Sequence, residues 1–390
     1  MAQTRHPVSG GSFETIEPPP VALEADRHPS FLTATGPDGM IYINVRPNTL
    51  IRFDPATRAA KVLGPAAREG SAGGQAYAFT VHDQKLYWVN YAQGDAVKYD
   101  PSRSWTGVDT APNANPRQLG EIKHRLQAGA RGAPNSLRPT SLFADAGLLW
   151  SGMRITRSRR GDPVAARSLI ARYSLGEEPQ ATFWELPEFG PDGIAGLCLT
   201  GAQMWGASFG AIFQWDHRAH RLVKTFPLAT LAPQLEGKFK RVVCGGDGLL
   251  YGAGGAYETA EDQRRVAERG GRRVEGTRYG VREQDPERNW YVVFDPRTQT
   301  IKKLGTVRPA WEFVELQSLS TSPEGVVYGL LVDHTFGYIH PETFEWVPLA
   351  TYRGRIRRMN GWAFVGDAIY FASHDGQRNI LIKYTRVFTK

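Results

Sequence analysis

The sequence is short of the features that most directly point to a function. It has no run of about 18 apolar residues, which excludes a membrane-spanning helix. Its opening residues, M-A-Q-T-R-H-P-V-S-G-G, lack the apolar core of a secretory signal. The expected location is therefore cytoplasmic, or secreted after removal of a signal peptide. Cys198 and Cys244 are the only cysteines, too few for a disulfide framework, and they are read as buried, reduced thiols. A G-x-S-x-G elbow, a P-loop, an H-E-x-x-H helix and paired C-x-x-C motifs are all missing. Almost no window carries a 3.6-residue apolar period, which excludes a helical solenoid. With no recognition helix, zinc finger or ribonucleoprotein-type aromatic motif, nucleic acid is not an expected partner, and no membrane is.

What is present is a repeat. An aromatic residue preceded by an aliphatic one recurs at Tyr42, Tyr87, Trp150, Trp205, Tyr251, Tyr328 and Tyr370, with spacings of 45, 63, 55, 46, 77 and 42 residues. The base period of about 40–45 residues is that of a four-stranded propeller blade. A second marker follows it: R-F-D-P at Asp54, K-Y-D-P at Asp100, Q-W-D-H at Asp216, V-F-D-P at Asp295 and Y-I-H-P at His340. The composition, with 42 Gly and 26 Pro, suits many tight turns. The expected fold is all-β: one seven-bladed propeller domain over residues 1–390, built of four-stranded antiparallel blades. Insertions are expected at 120–137, 154–167 and 255–288. After Tyr384 too little chain remains for a last outer strand, so Ser12–Glu17 is expected to supply it and close the propeller. Cys198 and Cys244 each lie seven residues before a marker aromatic, the register also held by Thr35, Thr80 and Thr321 on other inner strands.

The net charge of +8 is concentrated in a few connections. Arg353, Arg355, Arg357 and Arg358 stand together without an acid, Arg154–Arg167 holds arginines against Asp162 alone, and 120–138 is also basic. In a propeller these connections share one face with the second-to-third turns. A basic, arginine-rich rim there suits an anionic small molecule or oligosaccharide, because the guanidinium fork matches carboxylate, sulfate and phosphate.

Three histidines fall on that face in consecutive blades: His334, His374 and His28. Imidazole titrates near neutrality and can exchange protons with a substrate. The expected reaction centre has His334 as base, His374 as its partner and Tyr91 as acid across the mouth. His28, Arg46, Asn90, Arg154, Trp311, Arg353 and Arg355 are expected to bind substrate, with Arg46 neutralising a carboxylate. The same imidazoles could instead hold a divalent metal; the cofactor is otherwise open. His82, His217, His220 and His340 are assigned to turns on the opposite face.

The recurring D-G-x-(I/L)-(Y/W) and F-D-P-x-T stretches resemble blades of the virginiamycin B lyase-like propellers and of propeller-type polysaccharide lyases. The resemblance runs along nearly the whole chain and lies in scaffold residues; the long arginine-rich insertions depart from it. It implies β-elimination at a histidine, and with the basic rim suggests an acidic, uronate-containing saccharide as substrate. A non-catalytic platform for an anionic partner, a propeller glycosidase and a lactonase are the alternatives.

Overall fold

The structure is a computed structural model and describes residues 8–16, 31–45, 48–69, 74–122, 136–156, 168–235, 237–255, 289–308, 319–331, 333–354, 361–374 and 379–388. Its first blade comprises Phe31–Thr35, Ile41–Val45, Thr49–Phe53 and Ala60–Pro65, hydrogen-bonded in that order. The second comprises Ala76–His82, Lys85–Asn90, Ala96–Tyr99 and Arg117–Gly120. In the third the inner strand is split into Ser136–Pro139 and Phe143–Asp145, both paired with Leu148–Thr156, followed by Ser168–Ser174 and Ala181–Leu186. The fourth blade is Ile194–Thr200, Gln203–Ser208, Ala211–Asp216 and Arg221–Pro227, and the fifth Lys238–Cys244, Leu250–Gly255, Asn289–Asp295 and Thr300–Thr306. Leu319–Thr321, Val327–Leu330, Thr335–Ile339 and Trp346–Thr351 make the sixth. Ala363–Val365, Ala368–His374 and Asn379–Phe388 make the seventh, and Val8–Ile16 joins it beside Asn379–Phe388 as the outer strand. The fold is an all-β, seven-bladed propeller. The closing strand begins a few residues earlier than the expected Ser12–Glu17.

Contacts divide the chain into two compact units. Glu14–Leu197 with Met359–Lys383 form one, and Met1–Phe13, Cys198–Arg358 and Tyr384–Lys390 the other. The first has cores such as Tyr87, Leu119, Leu149 and Tyr173, or Ile43, Phe53 and Leu381. The second centres on Tyr251, Val293, Leu319 and Ile339.

Both repeat markers are structural devices. The seven marker aromatics are buried. Tyr42 donates its hydroxyl to Asp38 Oδ2 at 3.0 Å, and Tyr251 does the same to Asp247 at 2.6 Å. The D-G turn thereby satisfies the phenol that its own strand buries. The D-P marker is an Asx-type turn: Asp54 Oδ1 accepts from the amides of Ala56 and Thr57, and Asp216 Oδ1 from those of Arg218 and Ala219. Four residues after the turn aspartate the chain takes a left-handed φ, at Arg58 (62°), His220 (56°) and Gln299 (58°). His340 replaces the aspartate in the sixth blade, its Nδ1 accepting from Glu342 and Thr343 amides, with Phe344 at φ 58°. A ring nitrogen does there what a carboxylate oxygen does elsewhere.

The reading of the cysteines as free thiols is corrected. Cys198 and Cys244 form a disulfide with Cα atoms 5.8 Å apart. The two cysteines occupy equivalent places on inner strands of consecutive blades, which is what brings them within bonding distance. Their register is where blades are tied together. Thr321 Oγ1 donates to Cys244 O at 2.7 Å, and Thr35 Oγ1 both donates to Phe364 O and accepts from Phe364 N at 2.8 Å. The small side chains at this register act as connectors.

Candidate functional site

Within the unit of the first, second, third and seventh blades, the turn Asn90–Asp95 leads from the second to the third strand of blade two. It is built to be held. Ala92 and Gly94 take left-handed φ values of 73° and 63°, letting the chain fold back so that Asn90 N reaches Asp95 O at 2.9 Å. Tyr91 N donates to Gln75 O at 2.7 Å, and Ala92 exchanges bonds with Leu137 of blade three at 3.0 and 3.2 Å. Tyr173 OH caps Gly94 O at 2.5 Å. A Cβ on Gly94 would come within 2.8 Å of Leu137, so glycine is needed for space as well as for φ.

Inside the turn is a carboxylate. Asp95 is 1% exposed and Asn90 fully buried; Asn90 Nδ2 donates to Asp95 Oδ2 at 2.8 Å and to Ala66 O at 3.1 Å. Asp95 Oδ1 has no partner. Burial pushes the Asp95 carboxyl up to about 6; the Asn90 bond and its own amide oppose this, and Glu121 adds to it. Asn90, expected to touch substrate, is instead the internal tie of this turn.

On the surface of the turn lies a flat aromatic pair. Tyr91 stacks on Tyr77 with centroids 5.0 Å apart and planes 22° apart, and the Arg138 guanidinium lies 5.5 Å over the Tyr91 ring. Tyr91, Tyr77 and Arg138 are half-buried. Arg138 lies within the first segment of blade three's inner strand, Ser136–Pro139, where its register partner is Arg154. Residues directly opposite in an antiparallel pair share a face, and like charges there are unfavourable. Arg154 is seated against Gly193, whose φ is 92° and where a Cβ would lie 2.3 Å from Arg154 Cβ. Arg138 thus lies over the tyrosine stack, with Arg154 as its register partner on the neighbouring strand. Tyr91, as an acid, and Arg154, as a substrate-binding residue, were named from the sequence. Arg138 and Tyr77 were not, and strand register is the signal that places them.

The other unit carries its own candidates. His334 follows Leu330 in the turn between the second and third strands of blade six, at φ 67°. Burial lowers its pKa below the ordinary histidine value, opposed by Asp333 and by hydrogen bonds to the backbone of Gly354 and Tyr352. The imidazole is turned toward the chain leaving the blade's outer strand, where Arg353 is exposed. In blade five Lys240 is buried, and burial lowers Arg241 to about 10, leaving it a cation at neutral pH.

His374 ends the strand Ala368–His374, but its side chain, with His28, Arg46, Trp311 and Arg355, lies outside the described residues. Among the described residues no group of three His, Cys, Asp or Glu is gathered as a metal site.

No protein-family model matches the chain, and no curated protein matches its sequence. Solved structures do match. A streptogramin B lyase structure is 12% identical with a TM-score of 0.57, covering 97% of this chain and 98% of its own. The WD40 domain of Neurospora crassa Pan2 is 10% identical with a TM-score of 0.60, covering 98% and 97%. A chain of the mitotic checkpoint complex is 14% identical with a TM-score of 0.56, covering 96% and 94%. The likeness is one of fold. A lyase and a WD40 domain share this scaffold, so function must be argued from the site.

Proposed function

We propose that the chain binds an acidic saccharide, its sugar ring on the Tyr77–Tyr91 stack and its carboxylate within reach of Arg138 and Arg154. The observation that carries this reading is the Arg138–Arg154 register pair beside the stacked tyrosines. A guanidinium fork matches a carboxylate, and a sugar face suits a tyrosine ring. Titrating the protein with oligogalacturonate tests it. Affinity should fall as salt rises and should be absent for the neutral galactose oligomer. Equal binding of the charged and neutral oligomers contradicts it.

A second reading adds β-elimination. A base removes the proton on the carbon bearing the carboxylate, the bond to the departing sugar oxygen breaks, and a carbon–carbon double bond forms as that oxygen takes a proton. Arginine neutralises the carboxylate so that the carbanion-like transition state is accessible. A histidine is the class of base that suits this step, because imidazole titrates near neutrality. The fold is also one that a streptogramin B lyase uses. The unsaturated uronate product absorbs in the ultraviolet. A rise in absorbance on incubation with oligogalacturonate supports elimination; binding without any rise leaves the platform reading alone.

A further inference from the structure

Asp95 is a buried carboxyl inside a turn that the rest of the site depends on. Its Oδ2 is tied to Asn90, its Oδ1 is unpartnered and its side chain is buried. Leu137, Ile122 and Met153 pack around Gly94 beside it, an apolar surrounding that disfavours an ion. The groups that face it electrostatically are Glu121, at the end of blade two, and the Tyr173 phenol of blade three, with the Arg138 cation held on the neighbouring Tyr91. Glu121 is of like sign and disfavours ionisation further. Opening the turn would expose Asp95 to water and free Tyr91 N from Gln75 O and Ala92 from Leu137.

We propose that Asp95 is a positioning residue: as the neutral acid it locks the Asn90–Asp95 turn, and Tyr91 with it, and on ionising it loosens both. Ligand binding at the Tyr91 stack is then favoured by mild acid. This last consequence rests on the saccharide-binding reading; the latch itself does not. The sign follows from linkage. A carboxyl that is harder to ionise in the closed turn than in the open one holds its proton in the closed form, so closure weakens as pH rises through the closed-form value.

Hydrogen exchange of the Tyr91 and Ala92 amides, corrected for intrinsic rates, tests the latch at about pH 5 and about pH 8. In the wild type, protection should drop about tenfold or more between the two. Asp95→Asn keeps the size of the side chain and cannot ionise, so its protection should not depend on pH. Equal wild-type protection at both pH values overturns the proposal and needs no variant. So does an undiminished drop in Asp95→Asn, or a drop abolished by Glu121→Gln while Asp95 is intact. Oligogalacturonate affinity is measured in parallel. A pH-dependent latch with no binding at either pH leaves Asp95 as assigned and removes the saccharide reading; binding with flat protection does the reverse.

Discussion

Asp216 and Asp95 are both turn aspartates, and they behave in opposite ways. Asp216 is in an exposed turn between the third and fourth strands, where the amides of Ala219 and Arg218 hold its carboxylate below the usual range. Asp95 is in a buried turn between the second and third strands, with a side-chain amide for a partner, and burial raises it to about 6. The first kind recurs at Asp54, where Thr57 and the Ala56 amide lower the carboxyl, and makes the frame. The second occurs where tyrosines and arginines meet. The repeating turns use the carboxylate as a fixed ion, while the turn under Tyr91 keeps an acid that can change state near neutral pH.

The frame side of this contrast should break hardest at its closure. Removing residues 1–16 takes away Val8–Ile16 and exposes the edge of Asn379–Phe388. Size-exclusion chromatography should show aggregation in place of the wild-type peak, because an unpaired edge recruits other chains. Next in size is Glu324→Ala. Arg386, its side chain 1% exposed, would lose the Glu324 carboxylate at 3.1 Å while still lying against Tyr328 OH and the Tyr328 and Phe388 rings. Removing one partner of a buried pair costs about 3–5 kcal/mol, readable as a lower denaturant midpoint.

The pH dependence sharpens the contrast from the other side. Asp95 is raised on folding, so its folded form holds a proton that the unfolded chain releases from about pH 4 upward. Its contribution is fully present in acid and is lost as pH rises through about 6, a cost of about 2–3 kcal/mol by neutrality. Asp95→Asn should be more stable relative to wild type at neutral pH than in acid. The smallest effect expected is His340→Asp, which puts the carboxylate of the other blades into the sixth turn and should change stability by less than about 0.5 kcal/mol. A large loss would show that the imidazole does more than accept two amide bonds.

The frame was legible because its parts are local. Tyr42 with Asp38, and Asp54 with the amides two and three residues on, are contacts within one turn and repeat with the period. The closing strand was legible from chain left over at one end and lacking at the other. The disulfide was half visible: equivalent register was read for Cys198 and Cys244, but their adjacency across consecutive inner strands was not drawn from it. Arg138 was hidden for a different reason. Its pairing with Arg154 depends on the register of an inner strand that breaks at Thr140–Leu142, where Ser141 bonds Gly152 N and Leu197 N. Asp95 reads as one more turn aspartate until its burial is known.

The central claim, that Arg138 and Tyr91 recognise one anionic ligand together, is tested most directly by a double-mutant cycle on oligogalacturonate affinity. Arg138→Ala and Tyr91→Ala, each confirmed to unfold at the wild-type temperature, should each weaken binding about tenfold or more. The double variant should lose less than the product of the two, because the guanidinium lies over the same ring that the ligand uses. Wild-type affinity in both single variants would contradict the account.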